Sequence, residues 1–323
     1  MATSQSLVST ERLRPTVSLI IVALLFVFAP YILPPSIAAD ILVFSLFALA
    51  FDILFGHMGI VSFGHAAYFG LGAYGAALFL TYAKLPPTLL WLSILAGVLL
   101  AGGGAWVFGF LSLRRSGLYL ALITLAFSQM VWFVMLKWTD VTGGENGLVN
   151  LPTLVFQIPG VFTVNMNSPI LIYYFNFVVV FVAMILLYRL LYSPFGLIIR
   201  SIRDNEERVG FLGYNVQRYK LMAFIASGLF SGLAGALYCI YQRFVALHTL
   251  DWIMSGDVVL MTLIGGGGTY FGPILGAAIY IGIRDIISFY TAWWRIIVGV
   301  ILVIVILFFR QGLWGMINTL RGR

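Results

Sequence analysis

Two polar side chains, Ser62 and His65, stand within an apolar, glycine-rich segment at residues 56–74. Frequent glycines interrupt or thin a helix and leave backbone groups free to face a solute, and a hydroxyl and an imidazole add hydrogen-bonding partners. A second glycine run, Gly265–Gly268, follows another apolar segment. We expect both segments to line a path for a small solute, although a structural polar contact is the alternative for His65. The predicted path residues are Ser62, Phe63, Gly64, His65, Gly265, Gly266, Gly267, Gly268 and Phe271.

A dense block of charge occupies the polar segment 193–219, in a chain of which only 9% of residues are charged. Asp204 and Glu207 have the spacing of a capping box. A short helix is therefore predicted from Asn205 to Leu212, with Gly213 as its left-handed end. Its apolar face would consist of Val209, Phe211, Leu212 and Tyr214. An apolar face beside charge predicts a docking surface for a soluble partner, and a helix lying on the membrane surface is the alternative.

The sequence lacks the motifs of several enzyme classes. It contains no Gly-x-x-x-x-Gly-Lys-Ser/Thr, and the glycine run 265–268 has no lysine to reach a phosphate. The histidines have no metal-ligand spacing with one another or with Cys239, and no serine is grouped with a base and an orienting residue. We therefore expect no enzyme activity, no metal site and no cofactor of its own. Asp52 and His57, near the end of an apolar run, suit an interfacial position as well as a role in a solute path.

The composition identifies an all-α, polytopic helical membrane protein. Of the 323 residues, 62% are hydrophobic, and the mean hydropathy is +1.04, whereas a soluble domain is about half apolar and about a quarter charged. The apolar windows are each long enough to cross roughly 30 Å of hydrocarbon, and they do not alternate as the strands of a barrel would. The net charge of +7 comes from basic residues at the ends of apolar runs, so we expect no nucleic-acid partner.

About ten spanning or partly spanning helices are predicted within a single domain, residues 1–323. They lie near 16–33, 40–56, 59–82, 88–111, 117–137, 169–191, 220–241, 254–267, 271–288 and 292–309. The eighth is too short for a full crossing and breaks at the glycine run, as a half-helix or a re-entrant element does. The first is expected to be an uncleaved span, and a cleaved secretory signal is the alternative.

The basic residues predict that both termini are cytoplasmic. In this orientation 13 of the 18 Lys and Arg residues fall on the cytoplasmic side, as the positive-inside rule favours. The segment 193–219 is then a cytoplasmic loop, and 138–168 is an external one.

Small residues mark two further features. Ser227, Ser231 and Gly235 recur every four residues, as do Gly228, Gly232 and Ala236, which predicts a close helix–helix seam. The segment 59–64 also resembles 267–272. Paired, glycine-interrupted segments in two halves of a chain indicate a translocation site between them.

Several motifs together resemble the LivM-type permease family of branched-chain amino acid ABC importers. They are Ser62-Phe-Gly-His-Ala-Ala-Tyr-Phe-Gly-Leu-Gly-Ala-Tyr74, Leu118-Tyr-Leu-Ala-Leu-Ile-Thr-Leu-Ala-Phe127, Thr142-Gly-Gly-Glu-Asn-Gly147, Ile202-Arg-Asp-Asn-Glu-Glu-Arg208 with Leu212-Gly-Tyr214, and Ile264-Gly-Gly-Gly-Gly-Thr-Tyr-Phe-Gly-Pro273. The resemblance implies that the charged loop couples the permease to an ATPase through Asp204, Asn205, Glu206, Glu207, Arg208 and Gly213. The chain departs from many relatives at Ile60, where they carry glutamine, which leaves the polarity of the solute open.

The resemblance also implies a multi-subunit importer in the bacterial cytoplasmic (inner) membrane. Its other parts would be a second permease of LivH type, two cytoplasmic ATPase subunits that bind ATP and magnesium, and a periplasmic substrate-binding protein. A branched-chain or other neutral amino acid is the expected solute, with urea, short amides and small carboxylates as alternatives. A stand-alone secondary transporter or channel is the alternative of another class. It would need membrane-buried acids, for which only Asp52, Asp257 and Asp285 come near qualifying.

Overall fold

A computed structural model describes residues 15–83, 91–149, 151–152, 155–158, 162–165, 168–291, 293–308 and 312–321. The helices are α1 (Pro15–Ile32), α2 (Pro35–Asp52), α3 (His65–Tyr82), α4 (Trp91–Ser112), α5 (Leu118–Lys137), α6 (Thr139–Thr142), α7 (Pro169–Leu191), α8 (Pro194–Asp204), α9 (Glu206–Phe211), α10 (Val216–Gln242), α11 (Trp252–Gly265), α12 (Gly272–Tyr290), α13 (Trp294–Phe308) and α14 (Gly312–Arg321). The polytopic helical class is confirmed.

Each of the ten predicted spans coincides with a helix. Within the described residues, six helical segments are long and apolar enough to cross a membrane: Pro35–His57, Trp91–Ser112, Leu118–Lys137, Pro169–Leu191, Val216–Gln242 and Gly272–Tyr290. The eighth predicted span is the 14-residue helix α11, which ends at Gly265 as expected. The predicted starts of two spans, at residues 88 and 292, lie outside the described residues.

The predicted span 59–82 is wrong at its beginning. Helix α2 continues as a π-helical turn, Ile53–His57, and the chain then turns irregularly until α3 begins at His65. Gly59 adopts a φ of 75°, which favours glycine. Ser62, Phe63 and Gly64 therefore precede a helix rather than lying within one. Gly64 is the N-cap residue of α3.

The loop 138–168, which is predicted to be external, contains the strands of the described chain. Strand β1 (Val155–Ile158) pairs antiparallel with β2 (Phe162–Asn165). Before this hairpin, α6 and a 3₁₀ turn, Gly144–Asn146, follow α5, and Leu148 forms an isolated antiparallel bridge with Val245. The prediction of an all-α chain therefore missed this small hairpin.

The predicted small-residue seam is confirmed on α10. Its glycines lie against the backbones of α3 and α4, so a Cβ on Gly232 would meet Ala101, and one on Gly235 would meet the carbonyl of Phe69. From the other side, a Cβ on Gly72 of α3 would meet the backbone of Gly232. Because the hydrophobic effect does not drive helices together in lipid, such helices associate through the close packing that small residues allow.

Charged side chains lie at two ends of the helical bundle. Arg115, Arg203 and Lys220, all expected on the cytoplasmic side, surround one opening, which we call the inner end. Arg284, expected on the external side, pairs with Asp40 toward the opposite, outer end. These three predicted cytoplasmic residues therefore lie together, and the assignment of the inner end to the cytoplasm stays a prediction. The basic residues Arg12, Arg14, Lys84, Arg310 and Arg323 lie outside the described residues.

Candidate functional site

Two glycine-bearing turns meet at the carboxylate of Asp52, at the inner end of α2. The first, residues 56–64, precedes α3, and the second, residues 266–271, joins α11 to α12. The Gly268 N–H donates to Asp52 Oδ1 at 2.9 Å and to Oδ2 at 3.1 Å. His57 Nδ1 lies 3.2 Å from the same carboxylate. Asp52 and His57 are only 1% and 2% exposed, so neither side chain faces water, and an interfacial depth for this pair stays a prediction. The carboxylate caps the turn between α11 and α12.

Gly56 occupies the closest approach of the two turns. A Cβ there would meet both the Asp52 carboxylate and the Gly268 nitrogen, so only glycine fits. Its carbonyl accepts a hydrogen bond from the guanidinium of Arg203 on α8. Helix α8 therefore contacts the first glycine turn directly, and through it the second.

Buried hydrogen bonds anchor the predicted path residues that begin α3. The Phe63 N–H donates to Thr124 Oγ1 at 3.1 Å, and His65 Nε2 lies 2.7 Å from Ser227 Oγ. Ser227 has one hydroxyl proton and donates it to the Ala50 carbonyl at 2.6 Å. His65 must then donate from Nε2, which assigns the proton to that nitrogen. Both His65 and Ser62 are fully buried, so these contacts match the structural alternative for His65.

A cavity of about 940 Å³ opens at the inner end and joins the two predicted groups of residues. The path residues on its wall are Phe63, Gly266 and Gly267. The predicted ATPase-coupling residue on its wall is Glu206, with Lys220 beside it. Ser62, Gly64, His65, Gly265 and Phe271 are buried, and Gly268 is half-buried. The volume falls within the range of small-molecule sites, roughly 300–1,000 Å³.

The charged loop is a hairpin of two short helices, α8 and α9, which we call the inner hairpin. The predicted capping box is wrong, because Asp204 ends α8 and Asn205 caps α9 by accepting from the Arg208 N–H at 2.8 Å. Accordingly, α9 spans Glu206–Phe211 rather than the predicted Asn205–Leu212. Gly213 has a φ of 87°, in agreement with the predicted left-handed position.

Glu206 and Glu207 of the inner hairpin are both exposed, and Glu206 also borders the cavity. Glu206 Oε2 accepts from Lys220 Nζ at 2.6 Å, and Lys220 is largely buried. Of the predicted apolar face, Val209 is buried, whereas Phe211 is 89% and Leu212 is 70% exposed. Tyr214 is exposed as well. The exposed part of this face is available to a partner.

Sequence reasoning missed Arg203 and Lys220 as parts of the site. The charged segment 193–219 is predicted to be a loop, although Pro194 at the first position of α8 suits a helix start and Ile199 and Ile202 recur on one buried face. With that helix placed, Arg203 falls one residue before its end. Lys220 enters the sequence-based prediction only as one of the 13 basic residues counted on the cytoplasmic side, and nothing in the sequence pairs it with Glu206.

A family model described as the permease component of a branched-chain amino acid transport system matches residues 34–306. The chain belongs to this family. It is 26% identical, over 86% of its length and 69% of the relative's, to the high-affinity branched-chain amino acid permease LivM of Escherichia coli. It is 28% identical to a nucleoside ABC transporter permease, NupC of Lactococcus lactis, over 69% and 71% of the two chains.

A third relative is the probable LivH permease of Methanocaldococcus jannaschii. The identity is 31%, over 35% of this chain and 36% of the relative. No solved structure matches the chain. The permease family thus includes both LivM and LivH types, and its members are transport subunits rather than enzymes.

Proposed function

We propose that this permease is the membrane-spanning subunit of an ATP-driven importer for branched-chain or other neutral amino acids. The observation that carries the proposal is the contact between the inner hairpin and the cavity. Arg203 binds the Gly56 carbonyl, and Glu206 binds Lys220 on the cavity wall. A displacement of the hairpin by a soluble partner would therefore act directly on the glycine turns that border the cavity.

ATP hydrolysis belongs to partner subunits in this proposal. Two cytoplasmic ATPase subunits would bind ATP and magnesium, and one would contact the exposed face at Phe211 and Leu212. A LivH-type permease would form the other half of the membrane unit, and a periplasmic binding protein would deliver the solute. The assembly would reside in the bacterial cytoplasmic membrane. The chain's lack of a phosphate-binding glycine loop supports this division of labour.

Nucleosides are the second candidate solute. The similarity to a nucleoside permease covers 69% of the chain, and a cavity of about 940 Å³ has room for one. Urea, short amides and small carboxylates stay open as alternatives within the same permease type.

Reconstitution of the complete importer tests the function. Proteoliposomes that contain both permeases and both ATPase subunits should accumulate leucine when ATP is inside and the cognate binding protein is outside. Omitting either ATP or the binding protein should abolish accumulation. Uptake of a nucleoside in place of leucine would identify the second candidate. Leucine uptake by this chain alone, driven by an ion gradient, would refute the ATP-driven importer.

A further inference from the structure

The wall of the cavity at the inner end carries more positive than negative charge. Arg115, Arg203 and Lys220 line it together with one acid, Glu206. Lys220 is paired with Glu206 at 2.6 Å, and Arg203 binds the neutral carbonyl of Gly56. Among the described residues, Arg115 and Arg203 therefore have no carboxylate partner. Two uncompensated positive charges on one cavity wall attract an anion.

Arg115 is the basic residue of this wall whose side chain has no partner in the described part of the chain. It lies in the turn between α4 and α5 and is exposed. The adjacent Arg114 differs, because its guanidinium lies 5.4 Å from the ring centre of Phe110, and neither of those residues lines this cavity. A guanidinium presents its N–H groups in a fork that matches the two oxygens of a carboxylate. Arg115 can therefore bind a carboxylate without first giving up a partner in the described chain.

The beginning of α5 lies on the same wall. Ser116, Gly117 and Leu118, which directly follow Arg115 in the chain, line the cavity as well. Gly117 is the N-cap residue of this 20-residue helix, and no side chain caps its first turn. The first N–H groups of a helix carry partial positive charge and have no intrahelical acceptors, so they add to the attraction for an anion.

Apolar side chains make up most of the remaining wall. They include Phe55, Met58, Ile60, Phe63 and Leu263. Basic side chains on an otherwise apolar wall suit a small solute that has a carboxylate and an aliphatic part. A neutral nucleoside, urea or amide would leave the positive charges without a partner.

We propose that Arg115 and the beginning of α5 bind the carboxylate of the transported solute in the cavity at the inner end. The proposal rests on the proposed function, adds a binding site to it and narrows the solute to a molecule with a carboxylate, such as leucine. The apolar wall contacts the side chain of that solute, and Arg203 contributes its charge while it keeps its bond to the Gly56 carbonyl. Phe63 and Gly267, one from each glycine turn, lie on the same wall, so the solute is bound beside both turns.

Protection of a cysteine by free solute tests the site. Ser116→Cys, in the complete importer in detergent, should react with a neutral, water-soluble thiosulfonate, and the native Cys239 is buried and adds no background. Leucine should slow this labelling in a saturable manner, about threefold at about twice its dissociation constant. Isocaproate, which keeps the carboxylate and lacks the ammonium group, should protect as well. Leucinol, which lacks the carboxylate, should not, and equal protection by leucinol and leucine would overturn the proposal.

Substitutions of the adjacent arginines separate the site from a general effect of charge. Protection by leucine should be lost in Arg115→Gln, partly kept in Arg115→Lys and unchanged in Arg114→Gln, whose side chain does not line the cavity. Copurification of the ATPase subunits and an unchanged melting temperature would show that each variant is folded. Protection that persists in folded Arg115→Gln would refute the assignment of Arg115.

The phosphate of a lipid headgroup is the other source of an anion for a basic cavity at a membrane face. Importers in nanodiscs of phosphatidylcholine, with or without phosphatidylglycerol, should show the same rate of labelling at Ser116→Cys. Slower labelling with phosphatidylglycerol, combined with no protection by leucine, would overturn the proposal and assign the cavity to lipid. Leucine uptake by the unaltered importer is measured in parallel. Uptake without protection overturns the site alone, whereas absence of ATP-driven uptake refutes the function on which the site rests.

Discussion

The carboxylate of Asp52 lies inside an apolar helix, where it binds the backbone of a distant turn. Its two oxygens accept the N–H of Gly268, which is 216 residues further along the chain. Removal of a buried hydrogen-bond acceptor leaves its donor unsatisfied, at a cost of about 1–3 kcal/mol. This hydrogen bond explains the buried carboxylate of Asp52 without a role in coupling transport to an ion gradient. One of the three acids that a stand-alone secondary transporter would require is thus committed to structure.

Gly56→Ala should destabilise the permease, because its methyl group would collide with the Asp52 carboxylate and the Gly268 nitrogen. Overpacking of this kind costs about 1–3 kcal/mol. Thermal unfolding in detergent should show a lower melting temperature for Gly56→Ala. Gly103→Ala is the matched control, since its Cβ meets no atom within 4 Å. Equal melting temperatures for the two variants would show that the turns have room to separate.

Helices were predicted well where apolar length alone defines them. The predicted spans 169–191 and 117–137 agree with α7 and α5 to within one residue, because about 20 apolar residues leave no alternative in lipid. Amphipathic α8 escaped prediction because it lies in a charged segment where length and hydropathy give no signal. The cap of α9 was misplaced by one residue, since Asp and Asn are equally good N-caps and the end of α8 decides between them.

Asn205→Ala should loosen α9, and Asp204→Ala should not. Asn205 supplies the side-chain oxygen that binds the Arg208 N–H, and loss of an N-cap costs about 0.5–2 kcal/mol. Hydrogen exchange at residues 208–211 should become faster in Asn205→Ala alone. If Asp204→Ala gave the same acceleration, Asp204 would be contributing to the cap.

At the scale of the whole molecule, the sequence indicates the candidate segments of the site but not the contacts between them. The segments 59–64 and 267–272 are paired by their resemblance, and both border the cavity at the inner end, the first through Gly59 and Phe63 and the second through Gly267. The bond between His65 and Ser227 spans 162 residues, and no local pattern specifies it. Such pairs depend on how α2, α3 and α10 pack, and hydropathy carries no information about helix neighbours.

Phe211→Ser with Leu212→Ser should weaken assembly with the ATPase subunits. Both side chains are apolar and exposed at the end of α9, and the minority of interface side chains that contribute more than about 1 kcal/mol each are buried near the centre of an interface. Copurification of the ATPase subunits should fall severalfold. Tyr290→Ser, at an aromatic residue that is 80% exposed at the outer end of α12, is the control. Unaltered copurification in the double variant would place the contact elsewhere on the permease.

The seam of α10 also limits how the permease can move. Gly232 and Gly235 lie against backbone atoms of α3 and α4, so a slip of even one residue would drive a larger side chain into a neighbouring main chain. Helices α3, α4 and α10 are therefore expected to move as one rigid body. The remaining degrees of freedom belong to the short helix α11, to α12 and to the two glycine turns, which have positive-φ joints at Gly59, Gly266 and Gly268. Opening and closing would then be a hinge rotation about those joints, and the seam would be its stationary frame.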